Sequence, residues 1–380
     1  MIPDLRRDFN QRFTREKYAR FLSLVNERSG AEVKFRLSET PCFFPAALIE
    51  TMQQAGKELI HQLVGNETYL EAARREIPKG FLTPHETKKP LFLQVDFGLI
   101  KDEQGVIVPR LVEIQAFPSL YAFEPVVERA YREVYGLGDA ATASGPFREA
   151  VLGKHAPENV ILLEIDPQHQ KTLPDFLLTE RLCGIQTVDI RDLKKQGRRL
   201  YHRGVPVERI YNRAIADELI RRNVETEFHF DDDIEVEWAG HPNWFFLISK
   251  FSLPYLKHET VPECWFLDQI EHLPEDLDNY VLKPLYSFAG LGVKVGPTRE
   301  NIDAIPPHER SQYLLQRRMR FEPVIETPHG PTQAEVRVMY IWLDSLEPAG
   351  LIVRMGRGRM MGVDHNRDME WVGASSGLIC

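Results

Sequence analysis

The chain has 380 residues, 43% of them hydrophobic and 27% charged, the balance of a globular protein with two to three lobes, not of a disordered or fibrous one. A formal net charge of −9 removes any global attraction to nucleic acid or an anionic membrane, while leaving room for a local basic cleft. The four cysteines, Cys42, Cys183, Cys264 and Cys380, lie far apart with no C-x-x-C pair, which argues against a zinc site or disulfide framework and fits a reducing cytosol.

The first residues lack the apolar run of a secretory signal, and no stretch reaches membrane-span length. A cytoplasmic enzyme is expected. Residues 1–75 read as helices, with apolar positions at helical spacing through Met52, Leu59, Ile60 and Leu63. A hairpin follows, residues 91–100 and 106–117 flanking the turn-like stretch 101–105. A helix over 125–135 leads into a Gly/Ala/Ser-rich stretch at 136–145, read as a domain boundary. Beyond it, strands at 159–165, 185–190 and 209–213 alternate with helical segments, the pattern of a small parallel α/β lobe. Residues 245–256 read as a linking helix. Short strands at 279–284 and 292–296 enclose a glycine loop, and long strands at 334–343 and 350–355 close the chain. The acidic run Asp231-Asp232-Asp233 reads as a solvated loop.

Three segments carry chemistry. In 280–295 a strand ends in Lys283 and a loop holds Ser287, Gly290 and Gly292. Glycines let backbone N–H groups turn toward phosphate oxygens, and a neighbouring lysine adds a point charge. A glycine-rich hairpin with an incidental lysine fits the same pattern. In the first hairpin, a two-residue turn at Gln104-Gly105 places Asp96 directly opposite Glu113, with Gln115 on the same face. A three-residue loop would slip that register and break the pairing. Facing carboxylates repel unless a hard divalent cation or a proton intervenes, and two solvent-facing acids aligned by chance would look alike. In 333–342, alternation puts Glu335 and Arg337 on one face, while Arg354 ends an apolar strand. A guanidinium buried there needs an anion. A structural salt bridge to Asp96 or Glu113 and a phosphoryl-facing role are both open.

Together these segments resemble the ATP-grasp superfamily, whose members bind ATP between a lid carrying a K-P…G-x-G-V loop and a core sheet with an acidic residue and an E-x-N motif. Lys283-Pro284 with Gly290 and Gly292 matches the lid loop, Glu113-Ile114-Gln115 matches E-x-N with Gln for Asn, and Asp96 matches the other acidic position. The order is similar to a circularly permuted branch that includes glutathionylspermidine synthase-like proteins, because the metal-ligand strands precede the lid.

The resemblance implies an α+β and α/β architecture: a circularly permuted ATP-grasp fold with a small parallel α/β lobe and a mobile lid. Its parts would be N-terminal helices plus metal-ligand strands at 1–145, the α/β lobe at 146–255, the lid at 256–322 and the remaining core strands at 323–380. It implies ATP and Mg²⁺ as cofactors. Lys250, Lys283, Ser287, Gly290, Gly292, Gln316, Met319 and Glu335 would bind ATP, and Asp96, Glu113 and Gln115 the metal. Arg337 and Arg354 would face the transferred phosphoryl group, and Arg213 an acceptor. The implied activity is carboxylate–amine ligation through an acyl phosphate, with small-molecule substrates and neither nucleic acid nor membrane as partner. A kinase or a nucleotide-binding pseudoenzyme on the same scaffold are the alternatives.

Overall fold

The structure is a computed structural model that describes residues 1–139, 145–285, 292–358, 361, 366 and 368–380. Its strands are β1 (Cys42–Phe44), β2 (Phe92–Lys101), β3 (Ile107–Gln115), β4 (Val160–Glu164), β5 (Gln186–Asp189), β6 (Lys194–Gln196), β7 (Arg199–His202), β8 (Val205–Val207), β9 (Arg209–Asn212), β10 (Glu237–Ala239), β11 (Cys264–Phe266), β12 (Tyr280–Pro284), β13 (Lys294–Val295), β14 (Tyr313–Arg317), β15 (Gln333–Trp342), β16 (Leu346–Gly356) and β17 (Gly373–Ile379). The helices that matter below are α1 (Pro3–Arg12), α2 (Arg15–Ser29), α3 (Ala46–Val64), α4 (Glu67–Arg75) and α5 (Glu124–Tyr135).

A six-stranded central sheet runs β1-β17-β16-β15-β2-β3. It joins the early hairpin to the last strands of the chain, so residues some 240 positions apart in sequence lie side by side: Asp96 pairs with Arg337. Only the β1–β17 pair is parallel; the remaining neighbours are antiparallel. One face of the sheet, with Val95, Phe97, Val336, Val338 and Val353, buries the apolar stripe of α3, including Ile49, Met52, Leu59 and Leu63. Burial of such a stripe is what holds a helix of ordinary propensity in place.

The second sheet, β10-β9-β4-β5, is wholly parallel, the α/β lobe that the alternating pattern predicts. A third, β11-β14-β12-β13, is antiparallel, and β6-β7-β8 form a small meander. No helix among the described residues is long and apolar enough to cross a membrane.

The helical reading of 1–75 holds for α1 to α4 but misses β1, three residues whose strand state comes from pairing with β17 at the far end of the chain. The helix expected over 245–256 is two pieces, an α-helix at Asn243–Leu247 and a 3-10 helix at Lys250–Tyr255. Ile248 is extended between them, and Pro254 cannot supply an N–H to a longer helix.

Candidate active site

The β2–β3 turn differs from the two-residue expectation. Asp102 N–H donates to the Val106 carbonyl at 2.9 Å across the three residues Glu103, Gln104 and Gly105, and Asp102 Oδ1 accepts from the N–H of Gln104 and Val106 at 3.0 and 2.8 Å. That loop slips the register by one, so that Gly98 faces Arg110 and Phe97 faces Leu111. Val112 then bulges out of β3, and past it Asp96 faces Glu113 and Gln94 faces Gln115. A bulge adds one residue to one strand and so reverses a one-residue slip. The Asp96–Glu113 pairing is therefore present, by a different route from the expected one.

Glu113, Asp96 and Arg337 stand side by side on three adjacent strands. Asp96 is 0% exposed. Its two carboxylate oxygens accept from Arg337 Nε at 2.6 Å and Arg337 Nη2 at 2.7 Å, and Arg354 also donates to it. Glu113 lies 3.9 Å from Arg337 and keeps more access to solvent than Asp96. Glu335 pairs with Arg354 at 2.9 Å and is buried. Burial alone would raise the Asp96 pKa, but Arg337 and Arg354 outweigh it and hold the carboxyl below its ordinary value. Glu335 goes the other way: burial pushes it up to about 7 despite Arg354, with Asp96 and Glu113 adding to the rise.

The third sheet supplies the opposing wall. Lys283 pairs with Leu314, while Val281 and Cys264 both pair with Gln316, so alternation puts Lys283, Gln316 and Cys264 on one face with Leu314 and Phe266. Leu314 and Phe266 pack into the core shared with Leu111 and Ile114 of β3. The opposite face, with Leu282 and Leu315, packs against Ile302. Lys283 thus points at the edge of the central sheet, where its Nζ donates to the Val112 carbonyl at 3.4 Å. Burial lowers the Lys283 pKa, Glu113 counters this, and Lys250 adds to the lowering. The two lysines and the acids are close enough to feel one another.

Gln316 is 1% exposed and its Nε2 has no hydrogen-bond partner among the described residues. Met319 follows β14, half-buried. Gly292 has φ +74°, and a Cβ there would stand 2.9 Å from Pro284 Cγ, so the position demands glycine. Ser287 and Gly290 lie outside the described residues.

Arg213, expected near an acceptor pocket, is a buried and paired side chain. It is 3% exposed, paired with Asp175 at 2.7 Å and packed over the rings of Phe117 and Phe176. Asp175 also accepts from the backbone N–H groups of Leu120, Ala122 and Phe123 at 3.0, 3.0 and 3.1 Å. The pair braces the loop that follows β3. Asp96, expected as a metal ligand, accepts from arginines at both oxygens. Among the described residues no group of three or more His, Cys, Asp or Glu side chains is placed to hold a metal ion. Glu113 and Gln115 lie past the bulge on one face of β3 and carry oxygen donors of the kind that hard cations such as Mg²⁺ take.

Sequence reasoning missed the Val112 carbonyl, the Cys264 thiol and Phe321. The last had a signal: Gly98 interrupts an apolar strand, as glycine does where something approaches closely, and a Cβ there would run into the Phe321 ring.

The sheets and helices together define a mixed α+β protein with a glutathione synthetase-like fold. A solved structure with this architecture is that of a glutathione synthetase-like effector from Globodera pallida in its apo form, with a TM-score of 0.63 and 13% identity over 97% of this chain and 98% of that one. No protein-family model and no curated protein matches the sequence.

Proposed function

We propose that this chain is an ATP- and Mg²⁺-dependent carboxylate–amine ligase, built on a circularly permuted ATP-grasp scaffold of the glutathionylspermidine synthase-like kind. One observation carries the reading: Lys283, from a separate small sheet, reaches the bulge beside Glu113, next to the buried Asp96–Arg337–Arg354 cluster. Lysines, acids and arginines drawn from five strands and a 3-10 helix gather at one edge of the central sheet. A purely structural protein has no need of this. The described fold of the G. pallida protein supports the ligase class.

In this reading the third sheet is the lid. Gln316 and Met319 receive the base, Glu335 the ribose, and Lys250, Lys283 and the glycine loop the phosphates. Glu113 and Gln115 would hold Mg²⁺, which when bound neutralises charge on the phosphate oxygens. Asp96 fixes Arg337 and Arg354 in place, so the guanidiniums meet developing phosphoryl and oxyanion charge without having to reorganise. The carboxylate takes the γ-phosphoryl group of ATP and ADP leaves; an amine then attacks the acyl carbonyl, loses a proton and displaces inorganic phosphate, forming the amide while the closed lid excludes water. Free cysteines at all four positions are consistent with the cytoplasmic location that completes the proposal.

A second reading, a nucleotide-binding protein without turnover, is favoured by the engagement of both Asp96 oxygens by arginines and by the likeness to an effector. ADP release measured with pooled carboxylates, with and without amines, separates the readings. Release that needs both substrates supports the ligase, release with a carboxylate or hydroxyl compound alone indicates a kinase, and none under any mixture supports the silent binder.

A further inference from the structure

The amide of Gln316 sits in β14 on the face turned to the central sheet, one strand-row (about 7 Å) along from Lys283. Its Nε2 is buried and has no acceptor among the described residues. An unmet buried N–H is destabilising, so the position suits a ligand that brings an acceptor. The residues that pair with it impose no charge. Val281 is apolar, and burial pushes the Cys264 thiol up to about 12, so it stays neutral. Neither paired residue offers the Nε2 an acceptor among the described residues.

Resting on the nucleotide-site reading above, we propose that Gln316 makes this site accept guanine as well as adenine triphosphates. The edge of adenine offers an amino donor beside a ring-nitrogen acceptor, and that of guanine a keto acceptor beside a ring N–H donor. A carboxylate in this place can only accept, so it meets the adenine amino group and repels the guanine keto oxygen. An amide carries both a donor and an acceptor, and half a turn of its terminal bond exchanges them. Either base then finds a matched pair of hydrogen bonds, and the orphaned N–H is satisfied in both complexes.

Titration calorimetry of the full chain with Mg-ATP and Mg-GTP tests this. The wild type should bind the two within about tenfold of each other. Gln316→Glu should retain ATP and lose GTP by a further 10- to 100-fold, the size of one mismatched bidentate contact. Gln316→Met, which keeps the shape and lacks both polar atoms, should weaken both nucleotides together, and it serves where the buried carboxylate of the first variant prevents folding. Wild-type GTP binding more than 100-fold weaker than ATP overturns the proposal and leaves the nucleotide site standing. Unchanged affinities in Gln316→Met overturn it as well. Failure of both triphosphates to bind the wild type removes the nucleotide-site reading itself.

Discussion

The ammonium of Lys283 donates to the carbonyl oxygen of Val112, 3.4 Å away, at the point where β3 departs from a regular ladder. The extra residue that restores the Asp96–Glu113 pairing also offers its carbonyl to the small sheet. Register and inter-sheet contact therefore depend on one bulge.

Lys283 is buried, and its charge is disfavoured by burial more than it is helped by Glu113. Lys283→Met removes that cost, so the variant should be as stable as the wild type or up to about 1 kcal/mol more stable at pH 7. The penalty is present while the lysine is charged and fades as pH rises toward its ordinary value, so any gain should shrink in alkali. Nucleotide affinity should fall at least tenfold. Thermal melts across pH, paired with titration, check both halves.

Asp96→Asn leaves Arg337 and Arg354 without their shared counter-ion and should cost about 3–5 kcal/mol. Because its pKa is held below the ordinary 3.8, the wild-type carboxylate gives its full stabilisation above that value. It loses it as pH falls through the depressed one, so the deficit should narrow in strong acid. Glu113→Gln should change stability by about 1 kcal/mol or less while reducing turnover more than about 100-fold. Equal destabilisation by both variants would contradict the different roles assigned here.

Glu335 titrates upward, to about 7 from an ordinary 4.5. Between those values the folded protein holds a proton that the unfolded chain has released, so its stability falls as pH rises through this window. Glu335→Gln lacks that dependence. The Tm of the variant minus that of the wild type should climb from pH 4.5 to 7 and then level off. A flat difference would remove the burial account.

Arg213 is a brace. Arg213→Met strands Asp175 in the interior and loosens the loop at Leu120 to Phe123. It should cost about 3–5 kcal/mol, visible as a lowered denaturant midpoint. A variant that altered only KM for an acceptor, with stability unchanged, would instead return Arg213 to the role its sequence resemblance implies.

Several elements were legible in the chain because their causes are local. Alternation identified β15, the strands β4, β5 and β9 announced a parallel lobe, and the stripe through Met52, Leu59 and Leu63 announced α3. Residue type and spacing along the strand singled out Asp96 with Glu113, Arg337 and Lys283 in separate segments, and the family resemblance joined them into a set. Period and composition act over a few residues, so a sequence displays them openly.

What the sequence could not decide is who meets whom. The two arginines that donate to Asp96 come from strands some 240 and 258 positions away, and that arrangement gives the buried carboxylate its counter-ions. The burial that makes Arg213 a brace is supplied by Asp175, Phe117 and Phe176. The turn residues permit either loop length, and the bulge at Val112 follows from which side chains must reach the core: Leu111 and Ile114 both pack there, although regular alternation would put them on opposite faces. Desolvation and long-range pairing are properties of the assembled protein. They set the charge and access of each site group, and neither is written in any short stretch of chain.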